Sequence, residues 1–541
     1  MRIPLPRNVK VNILKINIKT LPLIETLILG GAILLSYTGL ILIAIVSENI
    51  EIEGSITHGT IVLALFGFFI ISFAIGILSI IAGIGGGIIF TPIMLAFTGV
   101  DSLIVRGTGL IVVMFSGLMS TGILIKKGIG NYKLSLVMLL SQSTGALIGS
   151  IIAVNVAGSF GTAGEAFLRL SLGVILLGIA IYFYTGSKKL DWPEIKKVDK
   201  FSKMLNLGMS YYEESEKVER HYKVTRIGLG IFFIFIIGLM GGFFGIGGGW
   251  AITPVLNMGM GLPLKVAVAN SGIILGIGSC VSIWPYIFAG SLIPLFVLPW
   301  LSGQVTGGFA GTYILAKIKV SIVRIILIGI MFFTSFVLTT KALTMLGVIK
   351  TVSPLFQVII FGIIMGMVVY TIRRKGKIND NFKKEKQNKV IIKENNEVIV
   401  NKIKIPFSCI IYSEILRWIT IVSTVLALLI PILILLKPNS NLLNPNLILG
   451  AIFSGASISE IWGMSLTGIF PGAHYCLTNL TRPDSWASLS INLGCSVALW
   501  AIIPAVFFQL FKEKDNFSAV LGFIFASLLF LSIIGFLSIP T

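Results

Sequence analysis

The decapeptide GIGGGIIFTP, residues 83–92, returns as GIGGGWAITP at residues 245–254, each time inside a long apolar stretch. The two copies are 162 residues apart, because 245 minus 83 is 162. The same offset places SQSTGALIGS (141–150) in register with GQVTGGFAGT (303–312), so that a glutamine and several glycines coincide. A register kept over this distance predicts an internal duplication.

The composition is typical of a membrane protein. Of the 541 residues, 55% are hydrophobic and only 12% are charged, and the mean hydropathy is +0.97. Ordinary soluble domains are about one-quarter charged. Apolar runs such as 21–46 and 227–249 match or exceed the roughly 20 residues that a helix needs to cross a bilayer, and they lack the alternation of barrel strands. We therefore predict an all-α polytopic integral membrane protein.

The basic residues indicate orientation. The net charge is +20, but Lys and Arg fall between apolar segments, without the interleaved aromatic residues of a nucleic-acid-binding surface. They crowd the N-terminal leader and the stretches 186–226 and 373–404, whereas the first polar loop carries Glu48, Glu51 and Glu53. The positive-inside rule predicts that the N-terminus and both basic linkers of this multi-pass cell-membrane protein lie in the cytoplasm.

Charge also predicts that the second copy is inverted. The loop KKGIGNYK (126–133) has three lysines, and its counterpart YIFAGSLI (286–293) has none. Inversion of the second copy requires an odd number of membrane crossings in each copy. We expect five, with the broken glycine segment counted as one. The predicted parts are a basic leader and anchor helix (1–59), transmembrane repeat 1 (60–185), a cytoplasmic linker with a short amphipathic helix (186–226), transmembrane repeat 2 (227–345), an additional helix (346–373), a basic cytoplasmic linker (374–405) and a C-terminal transmembrane extension of about four helices (406–541).

Two interpretations of the glycine phrase stay open. Gly83 and Gly87, like Gly245 and Gly249, have the G-x-x-x-G spacing that lets helices pack closely. Alternatively, four glycines followed by Thr-Pro interrupt a helix at membrane depth, because glycine weakens helices and proline lacks an amide proton. Interrupted backbone must then line a protein cavity, where free amide groups can hold an anion. Inverted copies would bring two such breaks together near the midplane.

These motifs resemble a known family. The phrase GIGGGIIFTP and the stretch GGFFGIGGGWAITPVLNMGMGLPLKVAVANS (241–271), duplicated in a chain of membrane helices, are similar to the sulfite exporter TauE/SafE family, also called the toluene sulfonate uptake permease family. The resemblance covers roughly residues 60–345. It implies a secondary transporter, not an enzyme, for small sulfur-containing oxyanions such as sulfite, sulfonates or sulfoacetate.

Neutral hydrogen-bonding residues near each glycine phrase are the candidate substrate ligands. Family members often carry a Gly-Thr-Ser-like triplet after the phrase, whereas this chain has GTG at 107–109 and ANS at 269–271. Polar side chains in apolar helices either join helices or face a pathway. We expect a common anion site formed by Gly85, Gly86, Gly87, Thr91, Thr108, Gln142, Gly247, Gly248, Gly249, Thr253, Asn270, Ser271 and Gln304.

Charged residues give rival hypotheses. Arg106 either attracts the anion or extends to the membrane interface beside Asp101, and the second interpretation is favoured. In the extension, Glu460 is a candidate proton relay, and a membrane enzyme would use it with His474 and Cys476. A scaffold or sensor, with glycines serving packing only, is a further alternative. The four widely spaced cysteines offer no metal pair, so we expect no cofactor and no metal. The choice of protons as coupling ion and the oligomeric state stay open.

Overall fold

Long apolar helices dominate the computed structural model of the chain. Eleven helices in its described part are long and apolar enough to cross a membrane, which confirms the prediction of an all-α polytopic membrane protein. The first, α1 (Leu21–Val46), precedes the duplicated region. The described residues are 21–46, 57–82, 85–126, 128–185, 198–205, 207–213, 218–314, 320–350, 352, 356, 359–360, 362–363, 366 and 406–537.

The first copy consists of five helical segments. Gly161 adopts φ 49° and ψ −135°, a conformation that glycine reaches without steric cost, and it divides one long apolar stretch into two helices. If the interrupted glycine segment is counted once, as the prediction did, the first copy has four segments rather than the expected five. The segments are α2 (His58–Ala82), α3 (Gly87–Phe97), α4 (Ser102–Lys126) and the two parts of the kinked α5 (Tyr132–Thr185).

The linker between the copies is more ordered than the sequence predicted. The expected short helix is present as α6 (Lys200–Leu205). An antiparallel hairpin of β1 (Met209–Glu213) and β2 (Val218–Tyr222), which the sequence analysis did not predict, follows it. The side chains of Tyr211 and Tyr222 are buried in one apolar cluster with residues of the neighbouring membrane helices, so tertiary packing supports the hairpin.

The second copy repeats these boundaries. Helices begin at residues 87, 102 and 132 in the first copy and at residues 249, 264 and 294 in the second, always 162 residues later. The duplication therefore extends to the helix boundaries. The segments are α7 (Ile227–Phe244), α8 (Gly249–Pro254) with a π-helical turn (Val255–Gly259), α9 (Leu264–Ser282) with α10 (Trp284–Phe288), α11 (Pro294–Ile314) and α12 (Val320–Met345).

The copies exchange helices reciprocally. α2 packs on α11, and its repeat equivalent α7 packs on α5. A Cβ atom built on Gly307 would collide with the carbonyl oxygen of Phe73, and one built on Gly145 would collide with that of Phe235. These two contacts are equivalent, because 145 plus 162 is 307 and 73 plus 162 is 235. Each copy thus completes the other through a two-fold relation.

Contacts between α4 and α9–α10 establish the inversion. Gly107 lies against Tyr286, and ten residues later Gly117 lies against Gly276. Residue numbers rise along α4 while they fall along its partner, so the two helices are antiparallel. Because α4 and α9 are equivalent in the two copies, the two-fold axis lies across them. The predicted inverted repeat is therefore confirmed.

α4 and α9 form the centre of the bundle, since 89% of the residues in each apolar span are buried, against 22% in α1. We call the side where α3 ends and α4 begins the Ser102 face. The opposite side, where α4 ends, is the Lys126 face. The two short helices after the breaks run in opposite directions from the centre, α3 toward the Ser102 face and α8 toward the Lys126 face.

The C-terminal extension packs directly on the duplicated region. Its first helix contacts α1, α4 and α11, and Trp462 donates a 2.8 Å hydrogen bond to the carbonyl of Gly290 on the Ser102 face. Three of its helices are of spanning length, rather than about four. Most of the additional helix (346–373) and all of the second linker (374–405) lie outside the described residues. The extension contains α13 (Phe407–Leu436), α14 (Pro445–Ser454), α15 (Ile458–Gly463), α16 (Tyr475–Thr478), α17 (Pro483–Phe508) and α18 (Asn516–Ile533).

Candidate functional site

Both glycine phrases interrupt a helix. α2 ends at Ala82 before α3 begins at Gly87, and α7 ends at Phe244 before α8 begins at Gly249. Gly85 and Gly247 occupy equivalent positions and adopt φ 79° and 67°, a left-handed conformation that side chains disfavour. The two predicted discontinuous helices are confirmed. We call the interruption between α2 and α3, described at residues 85–87, break 1, and we call residues 245–249 break 2.

The two breaks meet. The Thr91 hydroxyl, one turn after break 1, donates a 2.8 Å hydrogen bond to the carbonyl oxygen of Gly245 in break 2. A Cβ atom built on Gly87 would lie 3.1 Å from the same oxygen, and one built on Gly109 of α4 would collide with it. The backbones approach this closely only because these positions carry no side chain.

The central helices enclose both breaks. A Cβ atom built on Gly85 would lie 3.5 Å from the Leu275 side chain of α9, and one built on Gly247 would lie 2.7 Å from Val113 of α4. Val113 and Leu275 are repeat equivalents, as are the two glycines. The breaks therefore lie between α4 and α9 in a two-fold arrangement, as the inverted-repeat prediction required.

Each short helix after a break begins in the same way. The carbonyl of Gly86 accepts hydrogen bonds from Ile89 and Phe90, and the equivalent carbonyl of Gly248 accepts them from Ala251 and Ile252. Within the described residues, the amide groups of 248–250 donate to no protein acceptor. Such groups carry the positive end of a helix dipole and are suited to an anion.

Four predicted ligands have a buried side-chain oxygen without a hydrogen-bond partner: Thr108, Gln142, Ser271 and Gln304. Buried polar atoms are normally paired, so unpaired ones in apolar helices need an explanation. Gln304 lies at break 1, because a Cβ atom built on Gly86 would be 2.6 Å from its Nε2 atom. That nitrogen donates to Ser79 at 3.3 Å, which leaves the Oε1 atom free.

Other predicted ligands lie differently. The Asn270 side chain accepts hydrogen bonds from the Asn131 amide at 3.0 Å and from the Ser135 hydroxyl at 2.8 Å, so it holds the start of α5. Gln142 lies against Gly278 of α9, unlike its repeat equivalent, which lies at a break. Thr253 lies in α8, one turn after break 2. Their role as ligands remains a prediction.

Arg106 corrects the sequence analysis. Its side chain is only 1% exposed, so the interpretation that it extends to the membrane interface is wrong. The guanidinium donates to the backbone and hydroxyl of Ser102 at 3.1 Å and to the carbonyl of Phe243, two residues before break 2, at 3.2 Å. Among the described residues it has no carboxylate within 4.0 Å. A positive charge is favourable at a helix C-terminus. The charge of Arg106 lies at the end of α7, beside the candidate site.

The polar residues of the extension that a membrane enzyme would use each have a different partner. Glu460 is exposed and accepts a 2.7 Å hydrogen bond from the backbone of Ser457, which lowers the pKa of its carboxyl group. The His474 ring contacts the carbonyl of Ile533 at 2.9 Å, and Cys476 contacts an asparagine of α17. In the part of the chain that is described, no group of three His, Cys, Asp or Glu side chains could hold a metal ion. Glu460 thus has a helix-capping role.

Comparison with known proteins agrees with this architecture. The model of the sulfite exporter TauE/SafE family matches residues 68–338, a range that contains both breaks, α4 and α9. The chain belongs to the sulfite exporter TauE/SafE family. The TauE/SafE region is also similar to the probable membrane transporter protein YunE of Bacillus subtilis (strain 168), with 27% identity over 264 residues, 47% of this chain and 90% of that protein. No solved structure matches.

The TauE/SafE region does not include the extension, where a second family model, without a functional description, matches residues 408–536. Family and relative together make this chain a multi-pass membrane permease or exporter of a small molecule.

Proposed function

We propose that this TauE/SafE protein is a secondary carrier of small sulfur-containing oxyanions, such as sulfite, sulfonates or sulfoacetate, and that the anion binds between the two breaks. The observation that best supports this is the hydrogen bond from Thr91 to Gly245, because it brings both interruptions of the backbone to one place. Carriers built from inverted repeats bind their cargo at such interrupted helices.

The chemistry of the residues around the breaks suits an oxyanion. Its oxygens only accept hydrogen bonds, and the amide groups of 248–250 and the hydroxyls of Thr108 and Ser271 are donors. Neutral donors hold an anion without burying a lysine that must be desolvated. Arg106 supplies positive charge beside break 2. Its guanidinium is held by a carbonyl at the end of α7 rather than by a carboxylate.

The exchanged helices provide a way to alternate access. α2 with α11 and α5 with α7 form two half-bundles, each with one helix from either copy. Rocking one half-bundle against the other would open the site to each face in turn. We infer from the lysines of the 126–133 loop that the Lys126 face is cytoplasmic. The sequence has no G-x-x-x-x-G-K-[ST] phrase for nucleotide binding, so we propose an ion gradient, with protons to be tested first.

Ligand screening followed by transport tests this function. The purified full-length protein is heated with sulfite, thiosulfate, sulfoacetate, sulfolactate or sulfate, with carboxylates of equal charge as controls. We expect the sulfur oxyanion that raises the Tm most to show counterflow in proteoliposomes, because a ligand of the folded state stabilises it. Stabilisation by carboxylates alone would refute the substrate class. Absence of counterflow for every stabilising anion would refute the carrier.

A further inference from the structure

A second group of charged residues lies at the Ser102 face, where three elements meet. Asp101 precedes α4, Glu165 and Arg169 follow the kink of α5, and Lys341 lies in the last part of α12. Lys341 donates hydrogen bonds to the carbonyls of Leu95 at 3.3 Å and Thr98 at 2.7 Å, at the end of α3. Lys341 therefore binds carbonyls at the C-terminal end of α3, the helix that begins at break 1.

Arg169 has unused hydrogen-bonding capacity. It is only 6% exposed, yet its contacts are one carboxylate oxygen of Glu165 at 3.2 Å and the sulfur of Met345 at 3.1 Å. Its Nε atom is buried without a partner. A guanidinium has five N–H donors, and a thioether is a weak acceptor. Arginine–carboxylate pairs frequently form two parallel hydrogen bonds, so this buried arginine is poorly satisfied.

Charge does not balance in this group. The group holds two carboxylates and three cations when Arg106 is included, and of these residues, all in the described part of the chain, only Glu165 and Arg169 form an ion pair within 4.0 Å. One oxygen of Asp101 already accepts the amide of Leu103 at 2.8 Å. One positive charge in excess, next to free guanidinium donors, is suited to an anion.

The repeat shows that these cations are not part of the shared scaffold. Every one of them is replaced by an apolar residue in the other copy, where the equivalent positions face the Lys126 side. The equivalents are Val268 for Arg106, Met331 for Arg169 and Ile179 for Lys341. Since the two-fold relation would otherwise make the faces alike, the charges serve a role specific to the Ser102 face.

We propose that Arg169 and Lys341 form an anion-capture site at the Ser102 face, from which the substrate moves along α3 toward Arg106 and break 1. α3 has 11 residues, so the two sites are about 16 Å apart. The inference rests on the carrier function proposed above. Capture at one face raises the local substrate concentration and makes the two directions of transport unequal.

The competing explanation is that Arg169 and Glu165, four residues apart on one helix, are a structural ion pair only. Neutralising the carboxylate of Glu165 distinguishes the two explanations. If Arg169 captures an anion, Glu165 competes with that anion, and E165Q tightens binding. If the pair is structural, E165Q has no such effect.

The experiment measures sulfite uptake and the rise in Tm caused by sulfite in full-length protein. We expect R169M and K341M to raise the KM about tenfold with little change in Vmax, because capture precedes the transport step. R169K should recover most of the affinity, and E165Q should lower the KM about threefold. K265M is the matched control, because Lys265 is an exposed cation at the start of α9, and its KM should equal that of the parent.

An unchanged KM in both R169M and K341M overturns the capture site, as does an E165Q protein whose KM rises like that of R169M. A parent protein that sulfite stabilises but that does not transport it refutes the carrier function instead. In that case, the capture site is decided by whether R169M loses the sulfite-dependent rise in Tm.

Discussion

The Thr91 hydroxyl of the first copy donates a 2.8 Å hydrogen bond to the Gly245 carbonyl of the second copy. Gly245 is the residue that ends α7 in a left-handed conformation, so its carbonyl has left the helical pattern. Interrupted backbone is unstable in lipid unless protein groups pair with it. Break 2 therefore depends on the other copy, and this contact between the copies coincides with the candidate site.

Gly87→Ala is expected to separate the breaks. The added Cβ atom would collide with Val113 and lie 3.1 Å from the carbonyl oxygens of Gly109 and Gly245. We expect the free energy of unfolding to fall by about 1–3 kcal/mol and sulfite uptake to fall more than tenfold. Gly67→Ala on α2 is the control, because nothing lies within 4 Å of its Cβ position. Parental uptake by a folded Gly87→Ala protein would contradict the site.

Gln304→Met should separate stability from transport. The Oε1 atom of Gln304 is buried without a partner, and methionine of similar volume removes that unpaired group. We expect the free energy of unfolding to stay equal or rise by about 1 kcal/mol. Sulfite uptake should be lost, because methionine also lacks the Nε2 amide, of which one N–H donates to Ser79 and the other can donate to an oxyanion. Gln509→Met, which removes another buried unpaired oxygen in the extension, should leave uptake unchanged. A Gln304→Met carrier that is both more stable and fully active would make the glutamine a packing residue.

A buried ion pair joins the N-terminal helix to the extension. Arg417 of α13 lies 2.8 Å from Glu25 of α1, and both side chains are almost completely buried. Arg417→Met leaves an unpaired buried carboxylate, so we expect a loss of about 3–5 kcal/mol in the free energy of unfolding. The double variant Glu25→Leu with Arg417→Met should recover most of it. The Tm of the detergent-solubilised proteins measures both, and additive losses would show that the pair is not coupled.

Asp199 should make the docking of the first linker depend on pH. A hydrogen bond from the Ser202 hydroxyl, followed by those from the backbone of Arg226 and Ser202, lowers the pKa of its carboxyl group below 3.8. A carboxyl group whose pKa is lower in the folded than in the unfolded state stabilises the folded state at a pH above its ordinary pKa. This stabilisation is lost as the pH falls through the lowered pKa. Docking should thus be constant from about pH 7 to 5 and weaken only below about pH 4.

Hydrogen exchange of the hairpin measures this docking. Asp199→Asn should accelerate exchange between about pH 5 and 7 and abolish the dependence below about pH 4. A parental hairpin that loosens between about pH 7 and 5 would show that another group controls the linker.

The local pattern of the sequence determined the membrane class, the duplication and the two breaks. Apolar length decides whether a helix can span a bilayer, and four glycines with a following proline interrupt a helix wherever they occur. The lysines of one loop, absent from its counterpart, were enough to predict the inversion. These features depend on short segments or on a comparison of the chain with itself, so no contact had to be known.

Tertiary structure alone decided which polar groups are used and which stay free. Asn270 looks like a ligand in the sequence but is held by Asn131, whereas Arg106 is buried against the end of α7. The β-hairpin of the linker and the pairing of Thr91 with Gly245 also arise between distant segments. A hydrogen bond needs two groups within about 3 Å, and the partner of a buried donor is fixed by packing rather than by the residues beside it in the chain.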